Sequence, residues 1–293
     1  MLDAQHKYFR KYTGFTLIEL SIVLVIIGLV IGGVLVGQDL IKSSGNRAFI
    51  SQLETYNSVV NTFKNKYNCL PGDCVSAAAF GFTGNGGGNG VVSGLITDGF
   101  VSSDYTIDPA ATFTSVYLSN ANNEIGKFWS HLRSALLIPD YMVTLVVSDG
   151  VGAGYSLPPA KNDGTGVIVA AWRGKHYFRS GVGGTRGGGN VLWSLNFSPA
   201  DAAYVFQKMG GTTISTTNSY GSVYPDGLGK ERVLISNATA SYGTIWSTDF
   251  FLFQTHGTGG ATANYCIDDS ATPAYFNLKN PSKLCALIIQ ASF

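Results

Sequence analysis

The sequence predicts an α+β chain: a long N-terminal helical spine packed on an antiparallel β-sheet domain with two short helices. Three observations carry this expectation. Residues 15–36 form an apolar run interrupted by one acid, Glu19. An apolar stripe then continues at helical spacing as far as Tyr67. Beyond it the chain is glycine-rich, with short β-branched and aromatic runs between turn signals.

At 293 residues the chain is long enough for one large domain or two small ones. Charged residues make up 13% and glycines number 37. That low-charge, turn-rich composition suits an all-β or α+β extracytoplasmic protein. The formal net charge is +1, and the excess sits in residues 1–14, where Lys7, Arg10 and Lys11 outnumber Asp3. The remainder is close to neutral and shows no basic stripe, so nucleic acid is set aside as a partner. The four cysteines, Cys69, Cys74, Cys266 and Cys285, all follow the apolar run. An even count there is compatible with two disulfides in an oxidising compartment.

Residues 1–14, MLDAQHKYFRKYTG, are polar and basic. From Leu20 to Gly37 there is no charge, and residues 15–36 approach the ~20 a helix needs to cross ~30 Å of hydrocarbon. The basic flank places the N-terminus in the cytoplasm and the C-terminal domain outside. One reading is a secretory signal, but the small-residue cleavage site is poor and the apolar part is long for such a signal. A second reading is a simple membrane anchor carrying an extracytoplasmic binding or enzymatic domain.

A third reading explains more residues. GFTLIEL, residues 14–20, closely resembles the cleavage and methylation motif of type IV prepilins and type II secretion pseudopilins. The resemblance is close over roughly residues 10–70. It implies a pilin-like fold with a cytoplasmic leader (1–14), a long helix (15–67, with 15–36 crossing the membrane) and an extracytoplasmic domain (68–293). It implies that prepilin peptidase cuts after Gly14, that Phe15 becomes an N-methylated terminus, and that Glu19 is the filament-assembly glutamate. The implied partners are further copies in a helical filament, an inner-membrane assembly platform and minor pilins. The precursor would lie in the bacterial inner membrane, and the assembled filament in the periplasm or outside the cell. The domain is large for a main subunit of this family. Retention of Glu19 leans away from subunits that cap the tip, some of which lack it.

The physics of Glu19 agrees with that role. An acid at the centre of an apolar span costs ~2.5–3.5 kcal/mol, so burial calls for a partner. The chain itself offers none nearby. The α-amino group of Phe15 on a neighbouring subunit would supply about 4 kcal/mol of attraction at ~4 Å and an effective dielectric near 20, before desolvation is counted. The plainer alternative is that Glu19 snorkels to the headgroups.

Phe49, Leu53, Tyr56, Val60, Phe63 and Tyr67 recur at helical spacing, with Lys42, Arg47, Glu54, Asn57, Asn61 and Lys64 on the other faces. One helix over 15–67 would span ~80 Å at ~1.5 Å per residue. The alternative is two helices broken near Gly45. Gly28, Gly32, Gly33 and Gly37 each cost roughly 1 kcal/mol relative to Ala in a helix, and would permit close packing between spans.

In CLPGDC, residues 69–74, Pro71–Gly72 suits a type II turn that a Cys69–Cys74 bond would staple. The glycine-rich segments 81–99 and 181–190 read as exposed loops. Neither is followed by the Lys–Ser/Thr of a phosphate-binding loop. A helix is predicted over Glu124–Leu137, closed by Pro139. A second runs from an N-cap at Ser198, through Pro199, to Met209 before Gly210–Gly211. Strands are predicted at Met142–Val147, Gly166–Trp172, Lys175–Arg179, Val191–Phe197, Arg232–Ser236, Gly243–Gln254 and Ala286–Ser292. Four cysteines allow three connectivities. Many pilins close a C-terminal loop with a bond such as Cys266–Cys285, so that pairing with Cys69–Cys74 is expected. A loop of that size would contribute ~3 kcal/mol on the chain-entropy estimate.

No catalytic constellation is visible, and no enzyme or cofactor is expected. His6 falls in the leader, His131 sits beside Trp129 on a predicted helix, His176 lies on a hairpin and His256 lies in a polar run. All four thiols have disulfide partners in prospect. Asp268 and Asp269 are weak candidates for Ca²⁺, which some pseudopilins hold in a C-terminal loop. Their spacing is unlike an EF-hand, and surface carboxylates are the simpler account.

Overall fold

The computed structural model describes residues 14–92, 124–140, 143–145, 155–172, 175–186, 190–193, 196–211, 223–224, 233–237, 266–268, 275–279 and 285–293. The predicted strand Gly243–Gln254 and His256 lie outside them. Contacts divide the chain into two compact units, Met1–Ser44 and Gly45–Phe293.

One helix, α1, runs without a break over Leu17–Tyr67. The expected stripe is the face it buries: Phe49, Leu53, Tyr56, Val60 and Phe63 are all buried. Asn68 ends the helix in the left-handed region, at φ 54°. The turn that follows closes as read from Pro71–Gly72: the Asp73 N–H donates to the Leu70 carbonyl at 3.2 Å, and Gly72 has φ 85°. A short 3₁₀ turn covers Ala77–Phe80.

Helix α2, Glu124–Ser134, brings Ile125, Phe128, Trp129 and Leu132 into the core. The strands are β1 (Val143–Leu145), β2 (Tyr155–Leu157), β3 (Gly166–Trp172), β4 (Lys175–Arg186) and β5 (Asn190–Trp193). Helix α3, Pro199–Lys208, comes next, then β6 (Val223–Tyr224), β7 (Val233–Asn237), β8 (Ile267–Asp268), β9 (Tyr275–Phe276) and β10 (Cys285–Gln290). The main sheet is antiparallel in the order β3–β4–β10–β7–β6, with β5 paired to the far end of β4. β1 pairs with β2, and β8 with β9, as separate ribbons. The architecture is thus α+β, a long N-terminal helix with an antiparallel sheet and short helices. Cys285 to Ile289 are all buried, as expected of a strand between two neighbours with both faces covered.

Two expectations change. Segment 181–190 was expected to be a loop, but β4 continues through it to Arg186 and β5 begins at Asn190. Glycine leaves no side-chain alternation to read, while its backbone still pairs: Gly184 lies opposite Leu192, after a register shift beyond Val182. The short strands β2, β6, β8 and β9 were not foreseen, because two or three residues carry too little period.

The half of α1 from Gly45 onward is tied to the domain by polar as well as apolar contacts. Gln52 grips one loop at two backbone points, donating to the Pro159 carbonyl at 2.7 Å and accepting from the Lys161 N–H at 2.9 Å. Asn46 donates to Asp201 at 2.6 Å. Asp201 is itself in the first turn of α3, where the Ser198 hydroxyl accepts from its N–H at 3.2 Å. Disulfides join Cys69 to Cys74 and Cys266 to Cys285, with Cα atoms 5.1 Å and 5.2 Å apart.

Candidate functional site

The N-terminal segment holds the residues singled out in the sequence. Gly14, Phe15 and Thr16 precede the helix, and all three are exposed. Phe15 is 86% exposed. The Gly14–Phe15 peptide bond therefore lies in open chain just ahead of α1, a conformation a protease can bind.

Thr16 and Glu19 form a capping box. The Glu19 Oε2 accepts from the Thr16 N–H at 2.8 Å and from the Thr16 hydroxyl at 2.7 Å. The Glu19 N–H points back to the Thr16 Oγ1 at 3.3 Å. The Thr16 carbonyl accepts the first helical bond, from Leu20, at 3.2 Å. This corrects the expectation that the chain offers Glu19 no partner. A counter-charge is one way to satisfy a carboxylate, and backbone donors at a helix start are another. The signal was present as Thr-x-x-Glu before an apolar run. Glu19 Oε1 has no partner among the described residues.

Removing the Thr16 hydroxyl has a measurable consequence. Thr16→Val is expected to cost about 1 kcal/mol of helix-end stability. In detergent micelles the Glu19 amide should exchange roughly fivefold faster, and Thr16→Ser should restore it. Equal exchange in all three proteins would exclude the cap.

Beyond the box, α1 is apolar on every face and unburied from Leu20 to Val36. Its first half is long and apolar enough to cross a membrane by length and composition. Leu17 to Ile41 present large exposed side chains throughout. Ser21, the polar side chain between Leu20 and Gly37, donates to the Ile18 carbonyl at 2.8 Å and so consumes its own donor. A Cβ added at Gly28, Gly32, Gly33 or Gly37 would meet nothing within 4 Å. Among the described residues, no contact requires these four to be small.

A match to a family model decides the reading of this segment: residues 9–35 match the prokaryotic N-terminal methylation motif. The chain carries the prepilin-type cleavage and methylation motif of type IV pilins and pseudopilins. The motif covers the start of the chain, and no curated protein or solved structure matches. It supports a pilin- or pseudopilin-like protein of the prepilin-peptidase-processed kind, and the apolar helix behind it is consistent with membrane anchoring.

The downstream candidates fall into structural positions. His131 is fully buried. Its Nδ1 accepts from the Gly72 N–H at 3.0 Å, so Nε2 carries the proton, which it donates to the Thr83 and Gly84 carbonyls. Its ring stacks on Phe82 at 5.4 Å. His176 lies on β4 against Phe293, with ring centroids 5.1 Å apart. Asp268 is in β8, opposite Tyr275, and Asp269 lies outside the described residues. Among the described residues, no three His, Cys, Asp or Glu side chains are grouped as a metal site.

Proposed function

We propose that this chain is a structural subunit of a type IV pilus or type II secretion pseudopilus. The precursor lies in the inner membrane with residues 1–14 in the cytoplasm. Prepilin peptidase cuts between Gly14 and Phe15, and the new Phe15 amine is N-methylated. An assembly platform then draws the mature chain into a filament whose interior is built from the apolar halves of α1, with minor pilins alongside. In the filament, Glu19 pairs with the Phe15 amine of a neighbouring copy. The free Oε1 of Glu19 leaves an acceptor for that bond while Oε2 stays on Thr16. The glycines at 28, 32, 33 and 37, where an added Cβ would meet nothing among the described residues, let spans approach closely. The domain forms the outer surface.

The observation that carries this reading is the Gly14–Phe15 junction standing directly before a capped Glu19 and an exposed apolar helix. Mass spectrometry of the mature N-terminus tests it. A chain beginning at N-methylated Phe15 is expected. A chain retaining Met1, or cut after residue 37, would overturn it.

A further inference from the structure

Residues 81–99 were expected to form an exposed glycine-rich loop, and the described part, 81–92, is a loop with most of its residues exposed. Residues 83–92 of it are strapped down by buried ionisable side chains from three places in the fold. At one end His131 of α2 donates to the Thr83 and Gly84 carbonyls at 3.1 Å and 3.2 Å, while accepting from the Gly72 N–H at 3.0 Å. At the other end His176 of β4 accepts from the Val92 N–H through Nε2 at 3.0 Å. Between them Lys127 donates to the Asn85 carbonyl at 2.6 Å, and Glu124 accepts from the Gly87 N–H at 2.6 Å. Asp73, in the disulfide turn, accepts from the Asn89 and Gly90 N–H groups at 3.1 Å and 2.8 Å. Asp73, Glu124, Lys127, His131 and His176 are all buried.

Two backbone bonds complete the fastening, from Gly86 to the Cys74 carbonyl and from Gly88 to the Asp73 carbonyl, both 2.8 Å. The strap lies so close to the turn that a Cβ at Gly86 would strike the backbone of Gly72 and Asp73. Glycine is needed there for approach.

A backbone N–H can only donate. Nδ1 of His131 and Nε2 of His176 are therefore bare, and protonating either would set one N–H against another. We propose that residues 83–92 and the Cys69–Cys74 turn form an acid-loosened fastening: protonation of His176 frees the strap at Val92, and protonation of His131 parts the turn from α2 at Gly72 while its Nε2–H stays on Thr83 and Gly84, with the core of the domain still folded. This device stands apart from the filament reading and does not depend on it.

Burial pushes both imidazoles toward the neutral form. His176 is held down to about 4, by desolvation first and then by Lys64 of α1. His131 is lowered by desolvation, against its bonds to Thr83 and Gly84 and with a small contribution from Lys127. Charged groups on the elements holding the strap include Lys64 and Lys66 on α1, Asp73 in the turn, Glu124, Lys127 and Arg133 on α2, and Lys175 and Arg179 on β4. An uncovered histidine titrates near ~6.5. The open form therefore binds more protons than the closed form below that pH. The closed strap is favoured above ~6.5 and loses ground as pH falls from there toward the folded value.

Residue-resolved hydrogen exchange on the full chain in detergent, corrected for intrinsic rates, tests the proposal. Between pH 6.5 and 4.5, opening at the Gly72 and Val92 amides should rise by up to about tenfold per pH unit for each histidine that controls it. Protection of the α1 amides from Gln52 to Phe63 should persist. In H131Q/H176Q the slope should flatten, because an amide side chain accepts the same bond without titrating. Opening independent of pH, or a slope unchanged in the double variant, would overturn the proposal. So would loss of strap and α1 protection in parallel, which needs no variant to detect.

Discussion

Glu19→Ala is expected to leave membrane insertion intact and to lower filament incorporation by an order of magnitude or more. The substitution removes a carboxylate from an apolar span, so insertion becomes no harder. In the assembled state it leaves the Phe15 ammonium of a neighbouring copy without its counter-charge. Close charges at an effective dielectric near 20 attract by about 4 kcal/mol. Loss of only ~2 kcal/mol net of desolvation is more than tenfold in an assembly equilibrium. Cell fractionation measures insertion, and recovery of sheared filaments measures assembly.

The capping box makes a control available. Glu19→Gln keeps a side chain that can accept from the Thr16 N–H and hydroxyl, as Glu19 does at 2.8 Å and 2.7 Å, but carries no charge. Assembly as poor as that of Glu19→Ala is expected. Normal assembly of Glu19→Gln would reduce Glu19 to a helix cap, and normal assembly of both variants would remove it from the filament altogether.

Phe178→Ala is expected to destabilise the domain by about 3–5 kcal/mol, a large part of the ~5–15 kcal/mol that holds a typical domain folded. Phe178 is fully buried on β4. Its ring lies 6.1 Å from Tyr56 of α1, 6.5 Å from Trp129 of α2 and 5.9 Å from Phe293. Its backbone is paired with Val169 of β3 on one side and Ile289 of β10 on the other. One ring thus joins the helical spine, the second helix and the middle of the sheet. Removing it leaves a cavity that paired strands cannot collapse into. Denaturant unfolding of the full chain in detergent should show a lower midpoint at unchanged slope. Phe178→Leu, which refills most of the volume, should lose markedly less. A loss below about 1 kcal/mol for the alanine variant would mean that this junction does not carry the core.

The long helix was legible because its apolar residues keep a period: Phe49 to Phe63 fall on one face, and that face is buried. α3 was legible from local chemistry, since Ser198, Pro199 and Asp201 act within one turn of one another. The prepilin motif was legible because its residues are contiguous. Glycine hid both the extension of β4 to Arg186 and the task of the strap, since a residue with no side chain has neither period nor polarity to read. The roles of His131 and His176 were hidden differently. Their partners are backbone groups at Gly72 and Val92, 59 and 84 residues away, and a backbone N–H looks the same in every sequence.

By itself, then, the sequence determined the basic residues ahead of the prepilin-type motif, the motif itself, the acid at 19 in its apolar span, the helical stripe to Tyr67 and the cysteines available for pairing. Each of these rests on residue identity or on spacing within a few turns of chain. Only the tertiary structure decided that Gln52 clamps the loop at Pro159–Lys161, and that five buried ionisable groups converge on segment 83–92. These depend on where folding brings backbone donors and acceptors, and how deeply it buries them, which residue order alone does not encode.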